Sequence, residues 1–209
     1  MRVKAVGIVA SMAFVALRVA GAQASSPSPL KSRVDAPTYA VLRALIDSAR
    51  QAKLPAKLVE DNALEGAIAG VPGDSVVRGV RAFVRQLGIA KATLGATASS
   101  DELRAAVSAI DAGIPLGDLK RIRRAAPKRS IATALTVMSD IANRGVPLPT
   151  SADLLVSLLS HNVKDADLLT FGRWVRQDIE KGGNPSSAAT ARANGFITAA
   201  GGRGLSTGF

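Results

Sequence analysis

The stretch Ser-Ser-Asp-Glu-Leu-Arg-Ala-Ala-Val-Ser-Ala-Ile-Asp-Ala-Gly-Ile-Pro, residues 99–115, decides the fold class. Leu103, Ala106, Val107 and Ile110 recur at i, i+3, i+4 and i+7, which gathers them on one face of an α-helix. Ser99 stands three residues ahead of Glu102, the capping-box pattern that satisfies two free amides at a helix start. Gly113-Ile114-Pro115 then ends the helix. Glycine accepts left-handed backbone, the β-branched residue packs back on the last turn, and proline blocks continuation while suiting the start of a new helix.

The same corner recurs outward as Gly70-Val71-Pro72 and Gly145-Val146-Pro147, so its prolines lie 43 and 32 residues apart. Each interval holds about two helices with their loops. Further helical faces fall at Leu42, Leu45, Ile46 and Ala49; at Val76, Val80, Phe83 and Leu87; at Ile131, Leu135, Met138 and Ile141; and at Leu168, Phe171, Val175 and Ile179. No comparable run alternates as a strand would. The reading is all-α, about eight to ten short helices, arranged as an irregular helical bundle or as a short array of degenerate helix-hairpin repeats. Neither spacing nor flanking residues match the tetratricopeptide or ankyrin repeat.

Outside this pattern the chain divides into further segments. Arg2 and Lys4 precede an apolar run from Ala5 to Leu17, and Ala22-Gln23-Ala24 follows. That order is the charged, apolar and small-residue sequence of a secretory signal, expected over residues 1–24 with cleavage leaving Ser25 first. The apolar run is shorter than the roughly 20 residues a membrane span needs. Arg18, directly after it, keeps an uncleaved anchor as the alternative. The chain has no cysteine, so lipoprotein-type anchoring, disulfides and thiol chemistry are all excluded. The expected destination is periplasmic or secreted. Residues 25–37, rich in Ser and Pro, read as a flexible lead-in, residues 38–195 as the helical domain, and residues 196–209 as a mobile Gly-rich tail. Within the domain, Gly182-Gly183 is expected to stop one helix, and Asn184-Pro185 to start a short alanine-rich one that ends near Asn194-Gly195.

Lys and Arg total 27 against 16 Asp and Glu; the signal holds three of the cations and no acid, leaving 24 against 16, a net +8. The densest charge is Lys120, Arg121, Arg123, Arg124, Lys128 and Arg129. On a helix that turns Leu119 and Ile122 inward, these cations form a stripe able to hold phosphates or acidic lipids, and they are the candidate anion-binding residues. The alternative is a solvated face whose cations favour the helix C-terminus ahead of Pro127. Aromatic residues make up 3% of the chain, too few to stack bases or sugars, so nucleic acid is not an expected partner.

No catalytic residue, metal ligand or cofactor is assigned. His161 is the single histidine, and it lacks the companions of a zinc site or a serine triad. Asp165 beside it reads as a helix cap. Ser28 and Lys31 match an S-x-x-K pattern without its partner motifs, and Gly202-Arg203-Gly204 lacks the rest of a phosphate loop. Asp61 and Glu65, one turn apart with Lys57 one turn earlier, read as an exposed face. Trp174 and Tyr39 read as half-buried helix residues. The expectation is an exported basic helical protein, a non-enzymatic binding or scaffolding module whose partner is an envelope protein or an anionic envelope component. The alternatives are a small envelope hydrolase or lyase using carboxylates that no motif marks, and a cationic protein resting on anionic membrane surfaces.

Overall fold

Helix starts and stops in the molecule follow the chemistry of their end residues. The computed structural model describes residues 29–203. The helices among them are α1 (Ala36–Gln51), α2 (Ala56–Ile68), α3 (Gly73–Leu94), α4 (Ser100–Asp111), α5 (Leu116–Ala125), α6 (Ala132–Asn143), α7 (Leu148–Ser160), α8 (Asp165–Glu180) and α9 (Pro185–Arg203). No strand occurs among the described residues, so the fold is all-α with nine helices there. The capping box at α4 is present in full: the Ser99 hydroxyl accepts from the Glu102 amide at 3.2 Å, and Glu102 Oε2 accepts from the Ser99 amide at 2.9 Å.

Six of the eight helix junctions close in one way. After α4, the Gly113 amide donates to the Ile110 carbonyl at 2.9 Å and the Ile114 amide donates to the Ala109 carbonyl at 3.0 Å. This paired reverse bonding is the Schellman motif, which satisfies the last free carbonyls of the helix. Gly70 and Gly145 do the same, and with Gly113 their φ values are 71°, 93° and 81°. The three corners legible in the sequence are therefore helix-ending caps. Three more share the geometry: Lys53-Leu54, Asn162-Val163 and Gly182-Gly183. Lys53 and Asn162 both take φ 55°, a backbone that non-glycine residues rarely adopt, which hid them from a glycine-based reading. The residue after the left-handed one is buried at Leu54, Ile114, Val146 and Val163, where it covers the last turn.

From α3 onward the helices alternate between two rows. One row packs α4 on α6 and α6 on α8; the other packs α3, α5, α7 and α9 in succession, and α1 continues it beyond α3. Corners stack along an edge of this array. A Cβ added at Gly113 would lie 3.9 Å from Leu148 Cδ1 at the start of α7, and one at Gly145 would lie 3.6 Å from Pro185 Cγ at the start of α9. Leu87, Leu119, Ile122, Ile131, Leu135, Met138, Ile141, Leu155 and Phe171 lie fully buried between the rows.

Three boundaries differ from the sequence reading. Leu30 is 0% exposed in a 3-10 turn, Pro29–Ser32, so the expected lead-in is tied to the core from there. α1 starts at Ala36, because Asp35 caps it by accepting from the Thr38 amide (2.9 Å) and the Thr38 hydroxyl (2.8 Å). α9 begins at Pro185 as expected, with Asn184 Oδ1 accepting from the Ser187 amide, but it runs through Gly195 to Arg203. The reason is packing. The Phe196 ring meets Phe171 edge-on at 6.3 Å and Trp174 at 5.3 Å, and Ile197 and Ala200 pack on the core, which outweighs the helix-weakening glycines. The expected signal, residues 25–28 and residues 204–209 lie outside the described residues.

Candidate anion-binding surface

Leu119 and Ile122 point into the core as their spacing requires, and this turns the rest of α5 outward. The six cations that the sequence places together then divide into two groups.

Arg123 is half-buried and turned toward α4 and the start of α6. Its Nη1 donates to Glu102 Oε1 at 2.8 Å, and its Nη2 donates to the carbonyls of Ala126 and Arg129. Glu102 is 4% exposed, and Oε1 also accepts from the Ile131 amide at 3.0 Å. Burial pushes the Glu102 carboxyl up, but the Ser99 and Ile131 amides and the Arg123 guanidinium outweigh it and hold the group below its ordinary value. One guanidinium and one carboxylate thus close the α5–α6 crossing, while Arg123 Nε remains buried without a partner.

Arg129 is pinned to the next helix. It donates to the Val163 carbonyl at 2.7 Å and pairs with Asp165, whose other oxygen accepts from the Thr133 hydroxyl at 3.4 Å. Asp165 is therefore the first residue of α8 and an ion-pair partner, and Lys164 occupies the cap position expected of it. Arg121 lies at the surface but bridges Asp118 (3.0 Å) to Asp153 of α7 (2.6 Å). Lys120, Arg124 and Lys128 are exposed, and no carboxylate among the described residues forms an ion pair with them. Lys120 and Arg124 lie one turn apart on α5, with Lys128 in the crossing that follows.

His161 ends α7 exposed, its Nδ1 2.9 Å from the Ser157 carbonyl, and no group of metal-ligating side chains occurs among the described residues. Asp61 pairs with Lys57 and, at 3.9 Å, with Arg104 of α4. Trp174 is half-exposed, with Arg192 over its ring at 5.2 Å while that arginine holds Asp178 through two bonds. Among the described residues no helix is long and apolar enough to cross a membrane.

One surface feature had no sequence signal. A shallow groove crosses α4, α6 and α8, lined by the apolar Ala105, Ala132 and Leu169 and by Asp101, Arg104, Thr133 and Thr136. Its residues come from three helices up to 68 positions apart, from Asp101 to Leu169, and only stacking of the row joins them. Leu169 is 55% exposed within it. Against known proteins, no family model, no curated protein and no solved structure matches this chain.

Proposed function

We propose that the chain is an exported, non-enzymatic binding or scaffolding module of the cell envelope, with Lys120, Arg124 and Lys128 as its contacts to anionic envelope components. The observation that carries this reading is the groove across α4, α6 and α8. It is open to solvent, spans three successive helices of one row and leaves Leu169 uncovered, the kind of extended surface by which stacked helical arrays hold partners. The charge supports it: three cations without an internal partner sit on a chain whose sequence carries a secretory signal pattern.

Two measurements test it. Binding of the full chain to long-chain polyphosphate should fall steeply with salt, because each neutralised phosphate releases counterions. Replacing Lys120, Arg124 and Lys128 by Gln together should weaken it about tenfold or more, since three charge contacts are lost. Unchanged polyphosphate affinity in that variant removes these residues from the site. The export half is tested by N-terminal sequencing of protein recovered outside the cytoplasm. Ser25 is the expected first residue, and an intact Met1 in the membrane fraction would show an anchor instead.

A further inference from the structure

A second cationic surface lies on α3, away from the six residues that dominate the sequence. Arg78, Arg81 and Arg85 recur at i, i+3 and i+7 and are all exposed. Arg78 donates to the Ser75 hydroxyl at 2.7 Å, and none of the three forms an ion pair with a carboxylate among the described residues. Ile89, four residues beyond Arg85, extends the same face and is exposed. From Arg78 to Ile89 the face runs about 16 Å along the helix axis.

Two features give this face a shape as well as a charge. Beside Arg78 and Arg81 the surface dips into a groove between α1 and α3, lined by Pro37, Val41, Val77 and Asp74. Further along the face stands Gly88, in the middle of the helix, where an added Cβ would meet nothing within 4 Å. A glycine inside a helix weakens it relative to alanine, and no neighbour within the molecule requires one here. Ala92 follows Gly88 one turn on, so beyond Arg85 the helix carries small residues at these two positions.

We propose that this face docks an acidic amphipathic helix from a partner protein. Guanidinium forks at i, i+3 and i+7 match carboxylates set at the same spacing on a facing helix, each able to bond bidentately. Apolar residues on the partner's inner stripe enter the groove over Val41 and cover Ile89, as in helix-in-groove recognition. The missing side chain at Gly88 leaves room for the partner helix beside Ile89. A bilayer surface fits less well, because a lipid headgroup layer has no use for a recess or for a missing side chain. The inference goes beyond the binding-module reading and does not depend on the α5 cations.

The probe is a fluorescein-labelled acidic amphipathic peptide of roughly five helical turns, built from Glu, Leu and Ala with its carboxylates on one face. Its affinity for the full chain is read by fluorescence anisotropy, beside a peptide of the same composition with that face scrambled. The peptide should bind, and the scrambled one should bind about tenfold more weakly. The variant R78Q/R81Q/R85Q should lose about tenfold or more, and K120Q/R124Q/K128Q should stay within about twofold. Gly88→Trp tests shape without removing charge. It should weaken the peptide about tenfold while circular dichroism and Tm show the fold intact. Equal binding of the scrambled peptide, or indifference to both the arginine variant and Gly88→Trp, overturns the proposal. So does loss of binding to phosphatidylglycerol vesicles in the arginine variant while peptide affinity stays unchanged, which would make the face a membrane surface. None of these outcomes bears on the polyphosphate measurement, so the two readings fail separately.

Discussion

Two of the chain's turns from one helix to the next differ in kind, and the contrast between Gly113 and the crossing from Ala126 to Ile131 shows what each depends on. At Gly113 the backbone closes on itself through two amide-to-carbonyl bonds, and Ile114 covers the last turn. No side chain takes part in those two bonds. Between α5 and α6 no such backbone cap forms. The carbonyls of Ala126 and Arg129 are satisfied by Arg123, and the Ile131 amide is satisfied by Glu102 from a helix 29 residues earlier. A local corner needs only a residue tolerant of positive φ, whereas the crossing needs a buried charge pair that exists only once α4 and α5 have docked.

The largest expected effect breaks the crossing. Arg123→Ala leaves Glu102 buried without its cation and frees two carbonyls, and it should destabilise the fold by about 3 kcal/mol, read from urea denaturation. The same junction should be acid-sensitive. Because the folded state holds Glu102 below its ordinary value, its contribution is present above the unfolded-state value and is lost as pH falls through the folded one. Glu102→Gln should therefore flatten the acid limb of the stability profile, while a variant at Gly113 should keep the wild-type limb. An unchanged acid limb in Glu102→Gln would place the sensitivity elsewhere.

A smaller effect breaks the corner. Gly113→Val forces a β-branched residue into φ 81° and should cost about 1 kcal/mol or more, visible as a lower denaturation midpoint. The side chain itself has room, since Leu148 lies 3.9 Å from the new Cβ, so the loss measures backbone strain. The smallest effect sharpens the comparison within the basic segment itself. K120Q/R124Q/K128Q removes three charges from the stretch that contains Arg123, yet it should change stability by no more than about 0.5 kcal/mol. A loss comparable to that of Arg123→Ala would show that these cations also hold the fold.

Periodicity was sufficient for the helices, because the core-facing residues of α4, α6 and α8 repeat within each segment, and the capping box at Ser99 and the corners at Gly70, Gly113 and Gly145 are local chemistry. Reading stopped where a contact joined distant segments. Glycines near 195 signalled an end to α9 that Phe196 overrides by packing on Phe171 and Trp174. The arginines of α3 stand at i, i+3 and i+7 in the sequence, but charge density alone ranks the run at 120–129 above them, and half of that run is paired with carboxylates of the same molecule.

Sequence alone determined that this chain is helical, where most of its helices turn and how much positive charge it carries, since helix faces, caps and left-handed corners are set by neighbours within about four residues. Tertiary structure alone decided which cations face solvent and which surfaces form grooves. Arg123 and Arg124 are adjacent and chemically identical, yet one is held by Glu102 and the other is exposed, because a helix sends successive side chains about 100° apart and only the docking of α4 gives one of those directions a buried carboxylate.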